Sequence, residues 1–114
     1  MAILHRIISL MMLSVLLLGC MSDQTKLQDG MKCYKAQTYH SAFIKLRPLA
    51  DKGVPEAQYA IGVMYYYGKG VNENRKKAIY WFKCAAKQGH QGAIKALNLL
   101  KENHQIQDSQ NRFF

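Results

Sequence analysis

The stretch that decides the fold runs Ala57-Gln58-Tyr59-Ala60-Ile61-Gly62-Val63-Met64-Tyr65-Tyr66-Tyr67-Gly68-Lys69-Gly70-Val71. After Asn74 it continues Lys77-Ala78-Ile79-Tyr80-Trp81-Phe82-Lys83-Cys84-Ala85-Ala86-Lys87-Gln88-Gly89. In the second half the apolar residues Ala78, Trp81, Phe82, Ala85 and Ala86 fall at the i, i+3, i+4, i+7 spacing of one buried helical face. Asn74 is placed to cap that helix, and Gly89 to take the left-handed conformation past its end. In the first half Pro55 stands at a tolerated first-turn position, and Ala57, Ala60, Ile61 and Met64 share one side. Gly68-Lys69-Gly70 breaks that helix, so the stretch reads as a helical hairpin.

The hairpin does not stand alone. Asp51-Lys52-Gly53-Val54-Pro55-Glu56-Ala57 recurs as Lys87-Gln88-Gly89-His90-Gln91-Gly92-Ala93, an offset of 36 residues. At the same offset Ala42 falls on Ala78, Leu46 on Phe82 and Ile61 on Leu97. Small and apolar matches at one offset mark a repeat in which each hairpin buries its face on the next. No segment shows sustained period-two alternation, so no sheet is expected. A further helix is expected over 39–52, with Pro48 removing a backbone donor inside it.

The pattern Ala57-x-x-x-Ile61-Gly62-x-Met64-Tyr65-x-x-Gly68-x-Gly70-Val71, then Lys77-Ala78-x-x-Trp81-Phe82-x-x-Ala85-Ala86-x-Gln88-Gly89, resembles a complete Sel-one-like repeat. That family is a tetratricopeptide variant with a longer loop between its two helices. Asn74 stands where the family usually has Asp, and Cys84 where a basic residue is common. Gly30-x-x-x-Tyr34 and Ala42 are similar to a degenerate repeat with a shorter loop. Ala93, Ala96 and Leu97 begin a repeat that is not completed, so 90–102 is expected to cap the stack. The resemblance implies an all-α, right-handed α/α solenoid over 30–102, about two hairpins and a cap.

The amino-terminal end is of another kind. His5 and Arg6 precede an apolar run from Ile7 to Leu18, which closes on Leu17-Leu18-Gly19-Cys20. This is the layout of a secretory signal, short for a bilayer span and without a basic stop-transfer flank. The ending resembles the lipobox of bacterial lipoproteins, which implies cleavage after residue 19 and acylation of Cys20. By that resemblance 1–19 is a signal peptide, 20–29 a lipidated tether and 103–114 a polar tail lacking helical periodicity. Met21-Ser22 after the cysteine, with no Asp directly following it, implies the periplasmic face of the outer membrane.

Composition bounds the rest. The mature chain would keep 95 residues, enough for one small domain, with 15 basic side chains against 7 acidic. An exported lipoprotein rarely meets nucleic acid, so the excess points to an acidic protein surface, to lipid headgroups or to a solvated helical exterior. Cys33 and Cys84 remain as a pair without metal-binding spacing, and neither a metal nor a cofactor is expected.

Catalysis is not expected. Some secreted proteins of the resembling family are linked to β-lactam chemistry, which needs Ser-x-x-Lys on one helical face. No serine here has a lysine three residues on. His40 and Ser41 are adjacent, and adjacent helical residues point about 100° apart. Binding is better supported: Tyr59, Tyr66 and Tyr67 lie on related turns of the helix expected to line the concave face, and amphipathic aromatics suit protein interfaces. Lys69, Arg75 and Lys76 form a basic turn beside them. A protein-binding lipoprotein is the expectation, and short lipoproteins of this family resemble immunity proteins that neutralise periplasm-delivered effectors such as phospholipases. An envelope adaptor and a β-lactam-related hydrolase are the alternatives.

Overall fold

The computed structural model describes residues 1–112. Five helices follow one another: α1 (Ala2–Lys35), α2 (Tyr39–Asp51), α3 (Pro55–Tyr67), α4 (Arg75–Lys87) and α5 (Gln91–Asn111), with no strand among the described residues. Each helix packs on the next, α1 on α2 through to α4 on α5. The turns between them are short, which forces neighbours to run antiparallel. The chain is a short α/α solenoid.

The local chemistry explains the boundaries. Pro55 opens α3, where its missing N–H costs no hydrogen bond. Asn74 Oδ1 accepts the Lys77 N–H at 2.9 Å and caps α4. Gly53 and Gly89, equivalent at the 36-residue offset, hold φ of 96° and 83° with nothing within 4 Å of a would-be Cβ. It is therefore the left-handed backbone, not crowding, that asks for glycine there.

The core sits where helices cross closely. Ala42, Ala57, Ala78, Ala85 and Ala93 are fully buried, and Leu46, Leu49, Ile61 and Met64 fill the space between them. The two hairpins are built alike. A Cβ on Gly62 of α3 would lie 2.7 Å from the Phe82 ring of α4, and one on Gly30 of α1 would lie 2.6 Å from Leu46 of α2. Leu46 and Phe82 are themselves repeat equivalents, so the degenerate first hairpin is a true structural repeat. Its connection, 36–38, is four residues shorter than 68–74, which matches the shorter loop read from the sequence. Trp81 and Phe82 are buried, as expected of core positions.

A polar bridge joins the turns. Gln58, buried on α3, donates to the Ala50 carbonyl at 3.2 Å and accepts from Gln88 Nε2 at 3.0 Å. Gln88 also donates to the Gly53 carbonyl at 2.8 Å. The amide of Gln58 thus escapes the cost of an unpaired buried polar group.

Two readings of the chain change. Residues 22–29 are not a loose tether but part of α1: Leu27 packs against the core and Asp23 pairs with Lys52 at 3.0 Å. The thirteen residues of α2 need an antiparallel partner of equal length, and counting back from Lys35 that partner reaches Asp23. Residues 103–111 continue α5, where the glutamines at 105, 107 and 110 favour a helix through propensity without an apolar stripe in the sequence. Phe113 and Phe114 lie outside the described residues. Residues 2–18, the expected signal segment, form an exposed apolar helix continuous with the hairpin; α1 as a whole is long and apolar enough to cross a membrane by length and composition, a test that a signal sequence near the amino terminus also passes. The side chain of Cys20 lies outside the described residues.

Candidate functional site

Tyr59, Tyr66 and Tyr67 line a single groove of about 420 Å³ between α3 and α5. They do so in different ways. Tyr59 is half-buried, stacked on His90 with ring centroids 4.6 Å apart and tilted against Phe82 at 5.8 Å. It is a fixed wall. His90 is held in turn, because its Nδ1 accepts the Ala93 N–H at 3.2 Å and so closes the first turn of α5. Tyr66 and Tyr67 meet edge-to-face at 4.9 Å, and Tyr67 is 64% exposed. Tyr65, by contrast, turns into the core: it packs on Phe43 at 5.7 Å, and its hydroxyl accepts from Arg47 at 3.3 Å.

The far wall comes from α5 and includes Lys95, Leu99 and Asn103. The sequence reading missed them, although the 36-residue register carries the signal. Tyr59, Val63 and Tyr67 of α3 map onto Lys95, Leu99 and Asn103 of α5, the same helical face one repeat later. The groove is therefore the strip where two equivalent helices lie side by side.

The basic turn divides. Arg75 and Lys76 are exposed, and the Arg75 guanidinium stands 5.8 Å from the Tyr66 ring, at the groove's edge. Lys69 is not a free rim charge. Its ammonium lies over Tyr34 at 5.6 Å, Tyr39 at 5.1 Å and Tyr67 at 5.6 Å, a cage drawn from three helices. Charge interaction with Tyr34, then contact with Tyr39, holds its pKa above the ordinary lysine value. Lys69 is a latch that fastens the 68–74 loop to the first hairpin. Its neighbour Gly70 confirms the close approach, since a Cβ there would lie 2.6 Å from the Tyr39 backbone.

Arg75, Lys76 and Lys77 occupy the first turn of α4 with no acid among them. The helix macrodipole disfavours each such cation by roughly 0.3–1 kcal/mol at low salt. Lys77 recovers part of this by lying 5.3 Å over the Tyr65 ring. For Arg75 and Lys76 the structure supplies no ion pair among the described residues, whose bridges are Arg47–Asp51 and Lys52–Asp23. Arg47 works elsewhere, on Asp51, on the Tyr65 hydroxyl and over Trp81 at 5.3 Å; the Asp51 hydrogen bond raises its pKa.

Among the described residues no three of His, Cys, Asp and Glu are grouped to hold a metal ion. His40 and Ser41 are both exposed on α2, outside the groove.

Stacked antiparallel hairpins with an aromatic groove on one strip define a helical-repeat interaction module. The repeat is a Sel1 repeat, whose family model matches residues 55–90, and modules of that kind bind other proteins. The chain thus carries a Sel1 repeat over 55–90. No solved structure matches it.

Proposed function

We propose that the chain is a lipoprotein of the bacterial envelope, acylated at Cys20 and facing the periplasm, that binds a partner bearing an acidic surface. The observation that carries the reading is the convergence of Tyr59, Tyr66 and Tyr67 on one groove with Arg75 at its edge. The exposed apolar helix before residue 19 supports a membrane destination, because seventeen consecutive exposed residues of that character do not belong in water. The specific role we favour is immunity: the protein neutralises a periplasm-delivered effector, such as a phospholipase, by covering it, without chemistry of its own.

The test starts from the neighbouring genes. A toxin gene beside this one should encode a protein that the full chain binds and inactivates. Tyr66→Ala should accelerate dissociation at least tenfold, since a truncated aromatic anchor costs about 2 kcal/mol and acts mainly on the off-rate. Inhibition by a variant that no longer binds, or a neighbourhood without any effector, would overturn the immunity role. Intact mass settles the anchor. A diacylated or triacylated chain beginning at Cys20 supports it, and an unacylated mature chain refutes it.

A further inference from the structure

The hairpin stack has two ends, and charge separates between them. At one end the 36–38 turn meets the 68–74 loop, since Lys69 lies over Tyr34 and Tyr39 and Gly70 abuts the Tyr39 backbone. At the other, the 52–54 and 88–90 turns are joined by the Gln88–Gly53 hydrogen bond of 2.8 Å. Lys52 there pairs with Asp23, the point from which α1 runs back through its exposed apolar residues.

That second end is balanced. It carries both ion pairs of the described residues, Lys52–Asp23 and Arg47–Asp51. Around these pairs Lys26, Lys45 and Lys87 are set against Asp29 and Glu56, which leaves this end close to neutral. The first end is not balanced. Lys32 and Lys35 from the last turn of α1 join Lys69, Arg75, Lys76 and Lys77, against Glu73, while Lys101 and Glu102 at the same level of α5 offset each other. Lys32 and Lys35 are distant in sequence from the basic turn, and only the fold brings them beside it.

We infer that the end formed by Lys32, Lys35, Arg75 and Lys76 is a docking surface for an acidic polypeptide, presented away from the apolar helix. It is continuous with the groove through Arg75 and Tyr66. The occupant is a polypeptide because a surface flanked by tyrosine rings offers apolar contact as well as charge, which a phosphate-rich surface would leave unused. The inference rests on reading the chain as an interaction module. Its position makes the approach directional: the neutral end stays toward the anchor while the field of the basic end steers the partner.

The test uses the full chain in a non-ionic detergent, with labelled poly-L-glutamate as the probe and anisotropy as the readout. Three double variants change net charge by the same amount: Lys32→Glu with Lys35→Glu, Arg75→Glu with Lys76→Glu, and Lys26→Glu with Lys87→Glu. All six side chains are exposed, so the fold should survive in each, and circular dichroism checks it. Either basic-end pair should weaken polyglutamate binding about tenfold at low salt, with the loss shrinking as salt rises, while the third variant stays within about twofold. Equal losses from all three would mean that only diffuse net charge is felt, and would overturn the proposal. So would binding of phosphatidylglycerol vesicles, but not polyglutamate, that depends on the basic-end pairs, since the surface would then be a lipid site. Either result leaves the Tyr66→Ala effect on partner dissociation standing and sinks the basic-end inference alone.

Discussion

Single residues set the spacing of this stack. Gly62 lets α3 and α4 approach until the Phe82 ring would sit 2.7 Å from a Cβ. Gly62→Ala must push an aromatic ring that is itself buried, and overpacking of this kind costs typically 1–3 kcal/mol. Gly30→Ala meets Leu46, fully buried and 2.6 Å away, and should cost a similar amount. Denaturant unfolding of both variants reads the two losses, and Phe82→Leu in the Gly62→Ala background should recover part of that variant's loss. Lys69 makes a different prediction. Its pKa is raised in the folded state, so the stability it adds is complete below the ordinary lysine value and fades as pH climbs through the raised one. Lys69→Gln should therefore melt below the wild type at neutral pH, and the gap should close in the alkaline range. The cage was not legible in the sequence, because Tyr34, Tyr39 and Tyr67 meet only after the long loop folds back. Local spacing could place Lys69 beside the tyrosines of α3, but not over rings from α1 and α2.

Elements were the legible scale. The bounds of α2, α3 and α4 follow from apolar periodicity and from Pro55, Asn74 and Gly89, all of which act within one turn of the chain. What failed were the ends, where the local signals do not decide. Gly19, Ser22 and Asp23 follow the apolar segment without ending α1, and Gly30 is inside it as well, buried against Leu46. The carboxyl-terminal half of α5 has no apolar stripe in its sequence, and periodicity is blind to a helix without one. The groove was half legible. Its tyrosines stood out by type, while Lys95, Leu99 and Asn103 needed the 36-residue register applied to a helix whose repeat is unfinished. Capping gives the testable point at this scale. Asn74→Ala removes the acceptor of the Lys77 N–H and should cost about 1 kcal/mol. Asn74→Asp keeps that acceptor and places a carboxylate beside Arg75, Lys76 and Lys77. It should stabilise α4 by roughly 0.3–1 kcal/mol, with the gain falling as salt rises. A thermal melt at two ionic strengths separates the two effects.

At the scale of the whole molecule, the order of packing decides the fate of the two thiols. Cys33 and Cys84 are both half-buried and free. Cys33 belongs to α1, which packs on α2, and Cys84 to α4, which packs on α3 and α5. A disulfide requires Cα atoms within about 7 Å. Neighbouring helix axes already stand about 8–10 Å apart, and α2 and α3 come between these two in the stack. Cys84 is engaged locally as well: its hydrogen bond with the Tyr80 hydroxyl, one turn away, raises the tyrosine pKa. Oxidation of the folded monomer should therefore leave both thiols open to alkylation, even in an oxidising compartment. Mass spectrometry of the alkylated, non-reduced chain should find two modified cysteines in the monomer. A Cys33–Cys84 linked peptide from that species would mean that α1 reaches α4 directly. The stack of successive neighbours, and with it the separation of a basic end from a neutral one, would then have to be redrawn.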